Sequence, residues 1–321
     1  MKLKTYGDWF TGFGGMTLGA IDAGLNVVFG AEYDPKIAEV YRLNIGDHIR
    51  VCNLLEVDVS EFPRVDVFHA SPPCPNFSNA KTNGKETDND IALSAKVAEY
   101  IAYHLPDVFT LENVYKYRQS QSWQVIAKTL HNNSYLFNYW HVNMADYGVP
   151  QTRKRMIVIA RRDGVMPQLP PATHAKEPEV GMFGGLDKWV SWYEAIEGFG
   201  LPVKEPRQGL IKLLSALPGD CILIDGQQTA PDGDRGKRRI TYRLQNEPVF
   251  TITSSRESSN YLAFNGEWQS MTPRIISLFQ SFPNWYKLPD NETLAIKGIG
   301  NAVPPLFASK LYKHLLRQYG G

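Results

Sequence analysis

The chain has 321 residues, 43% hydrophobic and 21% charged, with a formal net charge of +1. That is the composition of a soluble protein with room for one large domain and a smaller one; no apolar stretch reaches membrane length, and the N-terminus is too polar for a signal peptide. Cys52, Cys74 and Cys221 lie far apart, which argues against a disulfide framework or a zinc site and for a reducing cytosol, while the balanced charge gives no global argument for nucleic acid.

Up to about residue 160, strand and helix patterns alternate. Strands are predicted over 3–10, 27–32, 65–70, 108–112, 135–142 and 156–160, and helices over 14–23, 35–43, 91–104 and 122–131, with Asp90 as a cap for the third helix. Such alternation predicts an α/β fold with a doubly wound, mostly parallel, Rossmann-like sheet. Residues 163–270 break the pattern: they are rich in Pro, Gly, Trp and Tyr, with short strands at 222–224 and 249–252. This predicts a smaller, irregular domain over 163–270 between a catalytic part, 1–162, and a return to it at 271–321. Helical patterning resumes at 273–280 and 304–319, and the polar run 81–90 reads as a mobile loop.

Several segments carry chemistry. Asp8-Trp9-Phe10-Thr11-Gly12-Phe13-Gly14-Gly15 joins the first strand to the first helix, where glycines let a ligand approach the backbone. Glu32, at the end of the second strand, is placed to take the hydroxyls of a ribose. Thr17 stands where a dinucleotide fingerprint needs its third glycine, so the ligand is read as a nucleoside and not necessarily a dinucleotide. Asp58 could receive an adenine amino group, or be a surface turn carboxylate. Ala70-Ser71-Pro72-Pro73-Cys74-Pro75 ends a buried strand with a cysteine held by two rigid residues. A nucleophile needs a fixed direction, although free cysteine is also a common core residue. Leu111-Glu112-Asn113-Val114 ends another strand on the same rim, where Glu112 could act as an acid or pair with an arginine. In Gln151-Thr152-Arg153-Lys154-Arg155, residues 151, 153 and 155 alternate onto one face, and its two arginines could fix phosphate or Glu112. Gly298-Ile299-Gly300-Asn301-Ala302-Val303-Pro304-Pro305 reads as the opening of the last helix, and Arg235-Gly236-Lys237-Arg238-Arg239 as a concentrated basic run.

Taken in order, these segments resemble the cytosine-5 DNA methyltransferase family, and the likeness covers everything outside 163–270. Met271-Thr272-Pro273-Arg274 through Gln280-Ser281-Phe282-Pro283 is similar to the family segment that supports the target-recognition domain. One departure is Pro75, where the family usually has glutamine after Pro-Cys.

The resemblance implies methyl transfer from S-adenosylmethionine to carbon 5 of cytosine in a specific sequence of double-stranded DNA, by way of a covalent Cys74 adduct on a flipped base. It implies catalytic roles for Cys74, Glu112, Arg153 and Arg155. A cofactor site would be formed by Phe10, Thr11, Gly12, Phe13, Gly14, Gly15, Glu32, Tyr33, Asp58, Val59, Pro73, Asn301, Ala302 and Val303. Ser78, Gln151, Arg235, Lys237, Arg238 and Arg239 would meet DNA, and the segment 79–90 would fold over the flipped base. No metal, membrane or obligatory protein partner is called for, and a monomer is expected. Three other readings differ in what they require. A tRNA methyltransferase would share the catalytic set, but residues 163–270 are long enough for DNA target recognition. A nucleoside-binding regulator would need neither Cys74 nor Glu112. A cysteine hydrolase would need a histidine base, and His69 lies on the strand.

Overall fold

A computed structural model describes residues 3–73, 86–178, 185–203, 221–226, 239–254, 259–264 and 267–320. Strand and helix alternate as β1 (Thr5–Trp9), α1 (Gly15–Asp22), β2 (Asn26–Glu32), α2 (Pro35–Asn44), β3 (Ile49–Val51), β4 (Val67–Ala70), α3 (Asp88–His104), β5 (Val108–Asn113), α4 (Gln121–Asn132), β6 (Leu136–Asn143) and β7 (Lys154–Arg161). They form one seven-stranded sheet in the order β3-β2-β1-β4-β5-β7-β6. The run from β3 to β5 is parallel, whereas β7 is antiparallel to both of its neighbours. Chain length explains the reversal: residues 144–153 are too few for the crossover of a dozen or more residues that a parallel pair needs. The expected α/β fold is therefore present with a mixed sheet.

Because side chains alternate along a strand, β1 feeds both faces of the sheet. Trp9 packs with Phe62, Phe68 and Tyr100 under α3. Tyr6 packs on the other face, with Met16 and Ala20 of α1 and with Phe307, Leu311 and Tyr312 near the C-terminus.

After β7 come β8 (His174–Ala175), β9 (Asp187–Lys188), α5 (Trp192–Ile196), β10 (Cys221–Gly226), β11 (Arg239–Leu244), β12 (Ser259–Phe264) and β13 (Glu267–Ser270). The last four form an antiparallel sheet in the order β11-β10-β12-β13. The chain then returns through α6 (Pro273–Phe279), α7 (Glu292–Asn301) and α8 (Pro305–Gly320), and α8 lies against α1.

Three local expectations are corrected. Thr87, not Asp90, caps α3: Thr87 Oγ1 accepts from Asp90 N, and the Asp90 carboxylate accepts from Thr87 N in return. The segment 298–301 closes α7 and does not open the last helix. Its glycines are there for packing: a Cβ at Gly298 would fall 2.2 Å from the Phe13 ring, and one at Gly300 would fall 2.3 Å from Thr253 backbone. Residues 249–252 form no sheet strand; Val249 makes a single parallel bridge to Gln151.

Candidate active site

The turn after β1 is strained where it meets the cavity. Phe10 holds φ 63°, a region side chains rarely adopt, and its N–H and that of Thr11 both donate to Ala31 O at 3.0 and 3.2 Å. Gly14, at φ 73°, then caps α1. Glu32 is locked against this turn by backbone: Oε2 accepts from Gly12 N at 3.0 Å, and Oε1 accepts from Tyr33 N at 2.9 Å and from Asp34 N at 3.0 Å. Asp8 is buried beside it and accepts from the Thr17 hydroxyl at 2.7 Å. Burial pushes Asp8 up to about 7, against the lowering effect of that hydrogen bond.

Phe10, Thr11, Gly12, Gly15, Glu32, Tyr33, Pro73, Asn301, Ala302 and Val303 all line one cavity of about 1940 Å3. Four members of the expected set have other positions. The Phe13 ring is fully buried in a core with Ile299 and Tyr286, and its carbonyl accepts from the Tyr286 hydroxyl. Gly14 serves as the cap of α1. Asp58 caps a short 3-10 turn through Ser60 N, which holds its carboxyl below the usual range, and Val59 is a core residue. Neither lines the cavity; Cys52, Asn53 and Leu54, which follow β3, do. The sequence carries a signal for this, because ligand crevices open at the carboxyl ends of strands and Asn53 is nearer that end.

At the neighbouring strand ends, Glu112 of β5 is buried and ion-paired, with Arg155 Nε 2.8 Å from Oε1. Asn113 Nδ2 donates to Pro72 O at 2.9 Å, clasping the Pro72-Pro73 turn to β5. His69 is also buried: Nδ1 lies 2.9 Å from Thr110 Oγ1, and Nε2 lies 2.8 Å from Ser71 Oγ. Burial pulls it down to about 3, so it is a neutral, structural histidine. Cys74 and Ser78 lie outside the described residues.

Arg153 and Gln151 differ from their expected roles. Arg153 is 1% exposed and spans two distant carbonyls, Nη1 to Ile252 O and Nη2 to Gly300 O, each at 3.0 Å. Burial pulls its basicity well down. A guanidinium held in this way braces the fold at the cavity wall, with Nη1 and Nη2 committed to backbone carbonyls. Gln151 is fully buried as well: its amide donates to Gln280 Oε1, and its Oε1 accepts from Ile252 N at 2.9 Å. Gln280 in turn donates to Ala302 O. The sequence marks Gln280 only as part of a segment similar to the family, and assigns it no role. Arg235, Lys237 and Arg238 lie outside the described residues, and Arg239 opens β11 opposite Gly226.

The donor set fits a nucleoside cofactor with a charged tail. Thr11 Oγ1 and Asp8 Oδ1 are buried on the cavity wall without a hydrogen-bond partner among the described residues, and Glu32 presents a carboxylate already oriented by backbone. Among the described residues no group of His, Cys, Asp and Glu side chains could hold a metal ion, and no helix is long and apolar enough to cross a membrane.

This sheet, with a glycine turn at one strand end and a paired carboxylate at another, is a Rossmann-like fold. Solved structures agree on the fold: Dnmt2 methyltransferase of S. pombe superposes with a TM-score of 0.71 at 15% identity, covering 99% of this chain and 100% of that one. A model of the C-5 cytosine-specific DNA methylase family matches residues 5–186 and 225–317. Type II methyltransferase M1.HphI of Haemophilus parahaemolyticus is 25% identical over 330 residues, covering 98% of this chain and 87% of that protein. M.NgoFVII of Neisseria gonorrhoeae is 27% identical over 324 residues, covering 96% and 85%. The chain belongs to the C-5 cytosine-specific DNA methylase family and is a DNA (cytosine-5-)-methyltransferase.

Proposed function

We propose that the enzyme methylates a cytosine extruded from duplex DNA, in a sequence selected by residues 163–270, through a transient bond to Cys74. The observation that carries this reading is the clasp of Asn113 on Pro72. It ties the turn leading into Cys74 to the strand end that bears Glu112, and the cavity touches both.

S-adenosylmethionine, when bound, supplies the methyl group. Glu32, Thr11 and Asp8 would hold its nucleoside and charged portions, and Asn53 and Leu54, in the chain after β3, line the same cavity. Cys74 thiolate adds to carbon 6 of the base and raises electron density at carbon 5. Glu112, held by Arg155, hydrogen-bonds the ring edge and stabilises the charge that develops there. After transfer, the carbon 5 proton and Cys74 both depart. Ser78 and the basic run Arg235, Lys237, Arg238 and Arg239 contact DNA, the latter chiefly at phosphates.

Cys74→Ser should abolish methyl transfer to DNA and leave cofactor binding by calorimetry nearly intact. Residual activity within tenfold of wild type would rule out the nucleophile, since tenfold is only about 1.4 kcal/mol of barrier. On DNA carrying 5-fluorocytosine at the target, the wild type should instead stall as a denaturant-resistant adduct, because fluorine cannot leave as the proton does.

A further inference from the structure

We propose that the outer edge of the seven-stranded sheet is a second DNA-contacting track, gripping the phosphate backbone of the duplex beyond the recognised site. This rests on the DNA-methylating function proposed above. From residue 113 to residue 162 the chain has eight Lys and Arg but one acid, Asp146, although the whole protein is nearly neutral at +1. Four of the eight are committed elsewhere. Arg153 is buried on two carbonyls, Arg155 faces Glu112, Arg161 pairs with Asp163, and Arg162 donates to Leu105 O. Of the other four, Lys128 is exposed on α4, and Lys116, Arg118 and Lys154 are exposed on the edge, with no ion pair among the described residues.

Arg118 stands beside an aromatic ring on one face of β6. Tyr115 stacks on His141 with ring centroids 4.2 Å apart and an interplanar angle of 16°. The Arg118 guanidinium lies 4.7 Å from the centre of the Tyr139 ring. Tyr139 and His141 follow one another on β6, ring centres 6.0 Å apart. The row is continuous with the cavity, since Tyr115, Lys116, Asn143 and Lys154 are among its lining residues. From Tyr139 to Asn143 is roughly 13 Å at about 3.3 Å per strand residue, or about four base pairs.

The acids nearby are occupied. Glu112 holds Arg155, the Asp146 carboxylate accepts from Trp189 Nε1, and Glu86 accepts from Gln121 N and Ser122 N at the start of α4. What remains is a positive, ring-lined strip leading away from the cavity mouth, which suits a polyanion with spaced charges. It carries no sequence information, so it would add affinity without altering the site that is methylated.

The test compares two duplexes containing the methylated site, which is first mapped by bisulfite sequencing of DNA from cells expressing the enzyme. One ends at the site; the other extends ten base pairs to each side. Wild type should bind the longer duplex about tenfold more tightly. Arg118→Ala combined with His141→Ala should lose most of that gain, and its salt dependence should flatten by about 0.9 for each phosphate no longer neutralised. Its kcat on the short duplex should stay at the wild-type value, which also shows that the variant is folded. Arg118→Lys should restore part of the gain. A double variant that keeps the full length-dependent gain would overturn the proposal, as would single-stranded RNA competing with the extension better than duplex DNA does. A wild type that methylates neither duplex would bring down the functional reading itself.

Discussion

Two carboxylates end two strands of the same sheet and are held in opposite ways. Glu32, the last residue of β2, takes three backbone N–H groups from the chain around it. Glu112, on β5, has the Arg155 guanidinium against one oxygen. Backbone donors cannot be substituted away, and they orient a carboxylate without a neighbouring side-chain charge. A guanidinium supplies charge as well as direction, and a single substitution can remove it. The first arrangement suits a site that must be ready before its ligand arrives, the second one that must respond to charge developing during reaction.

That contrast predicts unequal consequences. Glu112→Gln should lower the rate of methyl transfer by about a hundredfold or more, with cofactor affinity unchanged, because its contribution lies in the transition state. A weakened cofactor with a normal rate would exchange the roles of the two carboxylates. Arg153→Met keeps much of the side-chain volume but strands two buried carbonyls, each at a cost of about 1–3 kcal/mol. Denaturant titration should show the loss, and titration with phosphate-rich polyanions should show no change. Glu32→Ala should weaken cofactor binding by roughly 1.5–3 kcal/mol in calorimetry, because an oriented charged acceptor is lost.

The gentlest effect is one of slope. Asp8 has an ordinary value of 3.8 and is raised to about 7 in the fold. Between these values the unfolded chain gives up the proton and the folded one keeps it. The stability held below about pH 4 is therefore lost as pH rises towards 7. The slope can be no more than about 1.4 kcal/mol per pH unit for one proton. Asp8→Asn should flatten the stability curve over that window. An unchanged curve would mean that some other group carries the dependence.

Much of this arrangement is legible in the amino-acid order, and the failures have physical causes. The parallel strands read clearly because burial on both faces makes them largely apolar, as in Val67–Ala70, where His69 is the one polar residue. The glycine turn and Glu32 read clearly because their spacing follows from one strand-helix-strand unit. α7 escapes a reading by pattern because Gly298 and Gly300 look like helix breakers, and only the approach of Phe13 and Thr253 shows why glycine is required there. Gln151 and Arg153 read as ligand-facing because polar groups near a strand end usually are. Their true partners, Gln280, Ile252 and Gly300, lie about a hundred residues or more away, where local pattern cannot reach. Asp58 reads as a ligand contact because it is charged, but its carboxylate caps a short turn at the surface through Ser60 N.

The Arg153 brace also sets terms for anyone who exchanges residues 163–270 with those of a relative. Ile252 meets Gln151 through its N–H and Arg153 through its carbonyl, while Gly300 shares the same guanidinium. Val249 O accepts from Thr152 N at 2.9 Å in the same strip. A transplant with junctions at 162/163 and 270/271 would exchange residues 249–252 and put foreign chain against a fixed, buried cation. A transplant that leaves before Val249 keeps the host's own strip in place. The shorter insert is therefore the one expected to yield soluble chimeras.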